Sequence, residues 1–412
     1  MADLLGNLLV AQSGGTTATI NASLVGAIVE AGRHPEQIEE IYGSLGGLAG
    51  ALTEEMIDLQ DEKQHLIDGL KAVPAPALGT GNQPIDFSNP DAAKPDLDRL
   101  FQVFQAHNIR YFLFIGGLEA QEASLRIHEE AVKRGYEMRV IGIPKTIEND
   151  LPVTDFSPGY GSAIKCGAAT LLEVAQDLRS TRYSGCCIIE VVGHTTGWVP
   201  AGTVLARRNS GDAPHIILLP EVAFDQDSFL KQVRATIDSH RHCVIVIGES
   251  LRTANGQDLA DVNLTASERL AELVQKSLNL KTTTIKLGRA QCSAAHFASA
   301  ADADSAVAAG AGAVRAAVEG RSGVMIKLVR ETAENGTVKW KTDVHGLEEV
   351  LKTVNHVPRE WIAGDGFLPN EKFVAFAQPL IEGELRILFE LGLPRFCSLE
   401  KVPVEKKLPP YV

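Results

Sequence analysis

Seven consecutive residues in the first half of the chain bring together the groups that phosphoryl transfer needs. Residues 144–150, PKTIEND, contain the cation Lys145, the hydroxyl of Thr146, an amide, and the carboxylates of Glu148 and Asp150. A cation can hold the transferred group, and a carboxylate can accept the proton of the attacking hydroxyl. This combination predicts a catalytic loop, and we call residues 144–150 the catalytic loop.

Two glycine pairs offer contacts to phosphate groups. Gly14-Gly15 and Gly116-Gly117 each stand between an apolar run and a predicted helix. Glycines at such turns let backbone N–H groups approach a phosphate, and the positive end of the helix dipole adds to the attraction. One such pair alone is better explained as a tight strand-to-helix turn. Two pairs together with the catalytic loop make a phosphate site an equally good explanation.

The apolar runs around these loops predict the fold. Short apolar runs alternate with helical stretches, which is typical of a parallel, doubly wound α/β sheet. Ligands of such sheets bind beyond the carboxyl ends of the strands, where all three loops lie. We expect strands at 8–11, 111–117, 139–145, 186–192, 215–221 and 243–249, and helices at 21–31, 120–134 and 300–319.

Composition and charge narrow the class of protein. With 412 residues, 45% of them hydrophobic, the chain is long enough for two domains with large cores. A formal net charge of −13 argues against nucleic acid and anionic membranes as partners. No apolar run reaches the roughly 18 residues of a membrane span, the N-terminal residues lack the pattern of a signal peptide, and the six cysteines lack metal-ligand spacing. We expect a cytoplasmic protein.

The catalytic loop also carries a resemblance to a known family. PKTIEND, followed by LPVTDFSPGYGSAIK, resembles the PKTIDND signature of the pyrophosphate-dependent phosphofructokinases. The similarity continues in SGG and INASL, in EVVGHTTGW, in GDAPHIILLPE, in VPREWI and in DGFLPNEKFVAF. The lysine of the motif is similar to that of the branch that uses pyrophosphate in place of ATP.

The resemblance implies the phosphofructokinase fold, with two doubly wound, Rossmann-like lobes and a cleft between them. The lobe for the phosphoryl donor would comprise residues 1–152 and about 290–345. The lobe for the sugar phosphate would comprise residues 153–289 and about 346–412. Within it, the many Pro, Gly and charged positions of residues 364–412 predict a C-terminal segment wrapped on the surface. A homodimer or homotetramer is also implied, because family members complete the sugar-phosphate site from a neighbouring subunit.

The same resemblance implies roles on the donor side. Glu148 matches the aspartate that takes the proton of the sugar hydroxyl, and Lys145 would hold the transferred group, with Thr146 and Asp150 beside them. Mg²⁺ would accompany the pyrophosphate. The donor phosphates would contact Gly15, Asn82, Gly116 and Gly117.

On the sugar side, the resemblance points to four residues. Glu249 matches a glutamate that contacts the sugar, and His194 stands where the family has the arginine of M-G-R. Cys292 stands where the family's LGYxQR ends in arginine, and Arg289 is a new cation in that segment. Each of the replacements has a simpler explanation: His194 and Cys292 as fillers of vacated space, and Arg289 as a solvated or interface charge.

The donor side departs from the family as well. The second glycine pair continues as Leu118-Glu119-Ala120, where relatives have acidic or amide residues and a hydroxyl. Leu118 cannot bind a cation, so Glu119 is the remaining candidate for a metal ligand. Another family arginine has become Thr283, and Lys286 is a further new cation in that region.

Two hypotheses for function stay open from the sequence. A charge-assisted bond to phosphate contributes roughly 1.5–3 kcal/mol, so three or four lost arginines cost about 5–10 kcal/mol. The first hypothesis is a phosphotransferase that uses pyrophosphate and Mg²⁺, with weak or no activity on fructose 6-phosphate. The second is a non-catalytic paralogue, either a sensor of sugar phosphate or anion or a regulatory subunit of an active phosphofructokinase.

Overall fold

The structure, a computed structural model, describes residues 4–81, 84–180, 185–253, 255–260, 263–334 and 338–411. The β-strands are β1 (Gly6–Gln12), β2 (Ile38–Ser44), β3 (Met56–Asp58), β4 (Ile109–Gly116), β5 (Arg139–Pro144), β6 (Gly185–Glu190), β7 (Ile216–Leu218), β8 (His242–Ile247), β9 (Lys281–Lys286), β10 (Val324–Thr332), β11 (Val338–Gly346), β12 (Leu388–Glu390) and β13 (Leu393–Arg395).

Helices cover the faces of the sheets that these strands form. The α-helices are α1 (Ile20–Ala31), α2 (Leu48–Thr53), α3 (Gln64–Gly69), α4 (Pro90–Ala106), α5 (Leu118–Arg134), α6 (Tyr160–Ser180), α7 (Trp198–Gly202), α8 (Gln226–His240), α9 (Ala266–Leu278), α10 (Gly288–Cys292), α11 (Ala300–Val318), α12 (Leu347–Val350) and α13 (Glu371–Ala377). Within the described part of the chain, no helix has both the length and the apolar character to cross a bilayer.

The first sheet has the order β11-β10-β5-β4-β1-β2-β3. Its five central strands are parallel, and β11 and β3 pair antiparallel at the two edges. Alternate residues of β1 enter opposite core layers: Leu8 packs with α1 and α11, and Leu9 packs with α4 and α5. Both faces are therefore covered, which explains why β1 and β4 are apolar runs.

The second sheet has the order β7-β8-β6-β9, and all its pairings are parallel. Cys187 and Ile189 of β6 pack with α6 on one face, and Cys186 and Ile188 pack with α8 and α9 on the other. The two Rossmann-like sheets confirm the fold class predicted from the sequence, together with the six predicted strands and the three predicted helices.

Residues 364–412 were expected to wrap on the surface, but part of this segment is core. Phe373 and Leu380 are fully buried against α6 and α7 of the second sheet. Farther along, the backbone N–H groups of Glu400 and Lys401 donate to the carboxylate of Glu62, beside the first sheet. The segment therefore contacts both sheets, and the lobe boundaries implied by the resemblance stay a prediction.

Candidate active site

Three polar loops meet at one edge of the first sheet, because β1, β4 and β5 are neighbouring parallel strands. The loops after these strands line a cavity of about 1040 Å³, which we call the catalytic cavity. The short helix α10, which comes after β9 of the second sheet, also lines it. Among the predicted site residues, the cavity is lined by Gly15, Gly117, Glu119, Lys145, Thr146, Glu148, Asp150, Arg289 and Cys292.

The glycine loops leave backbone open to this cavity. Gly14 has a φ of +73°, a conformation that favours glycine, and a Cβ added to Gly15 would meet nothing within 4 Å. Gly116 is needed for packing, because a Cβ there would lie 2.5 Å from Cβ of Ala120. Of the four residues predicted to bind donor phosphates, Gly15 and Gly117 line the cavity. Gly116 lies buried at the end of β4, and Asn82 lies outside the described residues.

Lys145 is a buried cation at the base of the cavity. Its side chain is 3% exposed, and Nζ donates a hydrogen bond of 2.6 Å to the carbonyl oxygen of Gly15. Burial lowers the pKa of Lys145 to about 8, although the carboxylate of Asp150 opposes this shift. The ammonium group is therefore fixed against the first glycine loop. A phosphate group bound at this loop would contact the ammonium group directly.

Glu148 extends from the catalytic loop to the loop after β6 of the second sheet. Its Oε2 accepts hydrogen bonds from the backbone N–H groups of His194 and Thr195, each at 3.2 Å. Burial raises the pKa of the Glu148 carboxyl, and Asp150 adds to the rise, while the N–H groups oppose it. A raised pKa brings a carboxylate closer to the range in which a general base works well at neutral pH.

Asp150 and Thr146 support the catalytic loop from inside. The hydroxyl oxygen of Thr146 accepts a hydrogen bond of 3.1 Å from the backbone N–H of Glu148. Burial raises the pKa of Asp150, and its hydrogen bond with Thr146 opposes the rise. Oδ1 of Asp150 is buried without a hydrogen-bond partner among the described residues.

Asn355 holds the catalytic loop from behind, and sequence reasoning missed it. Its side-chain amide donates to the carbonyl oxygen of Asn149 at 2.8 Å, and its backbone N–H donates to the carbonyl oxygen of Asp150 at 2.8 Å. Its own carbonyl oxygen accepts the indole N–H of Trp198 at 2.9 Å. Nothing in the spacing points to this residue, which lies 206 positions beyond Asn149.

The predicted sugar-side residues are divided between two places. Arg289 and Cys292, both on α10, line the catalytic cavity. Glu249 and His194 form a separate pair beside it: Oε2 of Glu249 accepts the N–H of Gly193 at 3.0 Å and lies 3.4 Å from Nε2 of His194. Burial raises the pKa of the Cys292 thiol, which makes it less reactive than an ordinary thiol.

The cavity contains few cations. Among the described residues, its lining includes two cations, Lys145 and Arg289, and three carboxylates. The Arg289 side chain is exposed, and its guanidinium has no hydrogen bond or ion pair with the part of the chain that the structure describes. Lys286 is instead paired with Glu268 at 3.0 Å. The hydroxyl of Thr283 donates a weak hydrogen bond to the carbonyl oxygen of Cys186 at 3.5 Å.

The residues present fit a magnesium ion only when the substrate supplies most of its ligands. Within the described ranges, no three His, Cys, Asp or Glu side chains form a group that could hold a metal. Glu119 is an exposed carboxylate in the first turn of α5, next to the apolar Leu118, at the rim of the cavity. Mg²⁺ commonly binds through one or two carboxylates, water and substrate phosphates. Glu119 fits as the carboxylate in such a set.

The chain is similar to known phosphofructokinases both in sequence and in structure. A sequence profile described as Phosphofructokinase matches residues 7–317. The chain is 35% identical to the pyrophosphate--fructose 6-phosphate 1-phosphotransferase of Halomonas elongata, over 98% of this chain and 99% of the relative. It is similar to the solved pyrophosphate-dependent phosphofructokinase of Marinobacter aquaeolei, with a TM-score of 0.91, 35% identity, and 99% and 100% of the two chains covered. The corresponding enzyme of Nitrosospira multiformis gives a TM-score of 0.92 at 33% identity, with the same coverage.

Proposed function

This chain belongs to the phosphofructokinase family, and from that premise we propose that it transfers a phosphoryl group from pyrophosphate to a sugar phosphate. One observation carries the proposal. Lys145 and Glu148, which stand three residues apart on one loop, line a single cavity together with an open glycine loop. The relatives named above are pyrophosphate-dependent enzymes, and this supports pyrophosphate as the donor.

The proposed reaction is a displacement at phosphorus. A hydroxyl oxygen of the sugar phosphate forms a bond to the terminal phosphorus of pyrophosphate, and the bond to the bridging oxygen breaks to release orthophosphate. Glu148 accepts the proton of that hydroxyl, while Lys145 and the N–H groups near Gly15 hold the transferred group. A magnesium ion held by Glu119 and the substrate phosphates would neutralise part of the negative charge of the pyrophosphate.

We further propose that this activity is weak or absent with fructose 6-phosphate. Two phosphorylated substrates bring several negative charges into a cavity lined by two cations and three carboxylates. By the resemblance to the family, His194, Thr283 and Cys292 would replace arginines, and a single charge-assisted bond contributes roughly 1.5–3 kcal/mol. A neighbouring copy of the chain in a homodimer or homotetramer would supply part of the missing charge.

A second candidate function is favoured by the small number of cations in the catalytic cavity. Among the described residues its lining includes two cations against three carboxylates, and Leu118 offers no ligand to a metal. A site of this kind suits a non-catalytic paralogue that binds a phosphorylated sugar or another anion. Such a protein would serve as a sensor or as a regulatory subunit of an active phosphofructokinase.

The test is phosphoryl transfer by the purified protein with Mg²⁺ and pyrophosphate, on fructose 6-phosphate and then on a panel of sugar phosphates. We expect turnover on fructose 6-phosphate more than about 100-fold below the usual rate of about 10 per second. Turnover on any substrate should disappear in Glu148→Gln and persist in Glu129→Gln, whose carboxylate is half-exposed on α5 and paired with Arg126.

Two other results would change the proposal. A rate on fructose 6-phosphate within about 100-fold of the usual turnover would show that the lost arginines matter little. No rate on any sugar, together with thermal stabilisation by pyrophosphate or a sugar phosphate that Glu148→Gln leaves unchanged, would establish the binding function instead.

A further inference from the structure

A second cavity, of about 440 Å³, lies behind the catalytic loop. This rear cavity and the catalytic cavity have no lining residue in common. The rear cavity is lined in part by Asn355, which holds the catalytic loop. The volume is within the range of sites for small molecules, roughly 300–1,000 Å³. We propose that this rear cavity binds a small anion that carries a flat apolar ring, such as an aryl phosphate.

The apolar part of the proposed site is aromatic. Trp198, Trp361 and Phe376 line the rear cavity and pack on one another, with Trp361 and Phe376 5.2 Å apart between ring centres. Trp198 is 3% exposed and is held by its N–H bond to the carbonyl oxygen of Asn355, so this wall is rigid. Trp361 is only half-buried, and its ring therefore presents a surface on which a flat ring can stack.

The polar part of the proposed site is cationic. Lys372 is exposed on α13, and its ammonium group has no hydrogen bond or ion pair with the described residues. The guanidinium of Arg330 donates to the carbonyl oxygen of Ala375 at 3.1 Å, which leaves its charge without a carboxylate partner in the described ranges. Asp155 adds one carboxylate, already bonded to the backbone N–H of Arg330 at 2.6 Å. The lining of the rear cavity therefore has two cations and one carboxylate, and this excess of positive charge favours binding of an anion.

The site would also have a position from which to influence the catalytic loop. Asn355 contributes to the wall of the rear cavity and bonds to the backbone of Asn149 and Asp150. Thr154, another wall residue, lies four residues after the end of that loop. An occupant therefore contacts the same residue that anchors the loop.

The test is isothermal titration calorimetry of the full chain with 1-naphthyl phosphate, which has both the ring and the anion. We expect saturable binding that weakens by about 10- to 100-fold in Lys372→Glu. Lys231→Glu makes the same charge change at an exposed position of α8 that does not line the cavity, and this variant should bind as the wild type does. Naphthalene and inorganic phosphate should each bind more weakly than the probe.

Several outcomes would overturn the proposal. These are no saturable heat, equal affinity in Lys372→Glu and the wild type, or displacement of the probe by pyrophosphate, which would place it in the catalytic cavity. None of these measurements needs turnover, so their failure leaves the proposed phosphoryl transfer untouched.

Discussion

The two halves of the catalytic cavity differ in how completely their polar groups are held. On the donor side, Lys145 is buried and bonded to Gly15, and Glu148 is held by two backbone N–H groups. On the sugar side, Arg289 is exposed and has no hydrogen bond or ion pair among the described residues. Beside the cavity, the side chain of His194 is 71% exposed, although it lies 3.4 Å from the Glu249 carboxylate. The protein's own hydrogen bonds fix Lys145 and Glu148 of the donor half, whereas the Arg289 side chain of the sugar half is not fixed in this way.

This difference indicates where specificity has room to change. The side chains of a preorganised donor half lose little conformational entropy when pyrophosphate binds. The free energy of its contacts is therefore not offset by the cost of ordering those side chains. The free guanidinium of Arg289 must lose rotamer freedom to reach a ligand, and an acceptor of different shape can meet it in another rotamer. We therefore expect substitutions on the donor side to abolish function and those on the sugar side to adjust it.

The largest effect is expected from Lys145→Met, which keeps the volume and removes the charge from the buried donor half. Loss of one preorganised charge at the transferred group should lower kcat/KM for pyrophosphate by about 10²–10³-fold. The measurement is steady-state transfer, with pyrophosphate titration calorimetry if turnover is absent. Lys133→Met on the surface of α5 is the control. A loss below about threefold would mean that the donor half is not organised around Lys145.

The next effect is expected from Asn355→Ala, which removes the side-chain donor to the carbonyl oxygen of Asn149. A loop displaced by about 1 Å should lower kcat by roughly 10- to 100-fold. Asn355→Asp, which has the same shape and cannot donate that bond as a carboxylate, should behave similarly.

The control for this prediction is Asn370→Ala, which loses a bond of the same length, 2.8 Å, to the carbonyl oxygen of Glu360 and the N-cap bond from the Lys372 N–H, but has no hydrogen bond to the loop. By chemical denaturation, Asn355→Ala should lose about 1 kcal/mol of unfolding free energy and Asn370→Ala about 1–2 kcal/mol. If the Asn355 and Asn370 variants have the same kcat, then Asn355 does not position the catalytic loop and has only a structural role.

On the sugar side, Arg289→Ala should raise KM for the accepted sugar phosphate by about 10-fold and leave kcat nearly unchanged, because an exposed cation contributes mainly to binding. Lys286→Ala is a matched comparison from the same segment, since its charge is directed at Glu268 and not at the cavity. If the two variants have the same KM, the sugar half does not use Arg289.

The smallest effect is a pH dependence that belongs to the donor half. Above pH 8, the Lys145 amine in the folded protein, with a pKa of about 8, becomes neutral. Pyrophosphate affinity should therefore decrease several-fold from pH 7 to 9, by calorimetry, beyond any change in Lys145→Met. In unfolded chains the amine keeps its proton up to its ordinary pKa of 10.5, so Lys145 makes the unfolding free energy rise with pH between 8 and 10.5. A parallel pH profile in the variant would contradict the assignment.

The sequence predicted the parts of the fold that depend on long apolar strands. β4 and β5 are buried on both faces and read as apolar runs, whereas β9, KTTTIK, is a polar strand at the edge of the second sheet and was missed. β10 and β11 were missed too, although they form the antiparallel edge of the first sheet. Edge strands lack one covering neighbour, so their sequences need not be apolar.

The sequence predicted the part of the candidate site that is formed by loops at the ends of neighbouring strands. The convergence of the catalytic loop with the glycine loops results from parallel strands whose carboxyl ends share an edge. The hydrogen bonds of Glu148 to the loop that contains His194, 46 residues away, depend on how the two sheets pack. The same holds for Asn355, whose position behind the loop is a product of the path of the chain after β11. Pattern and spacing do not contain that information.

The hydrogen bonds of Glu54 have a consequence for the order in which this protein can fold during synthesis. Its buried carboxylate accepts the N–H groups of Lys407 and Leu408, and residue 407 is translated 353 positions after residue 54. Until then, Arg99 and His107 meet a carboxylate that lacks those donors, and the first sheet also lacks β10 and β11 for most of that time. The first sheet starts with β1, and its surroundings are completed only after residues 407 and 408 have emerged from the ribosome.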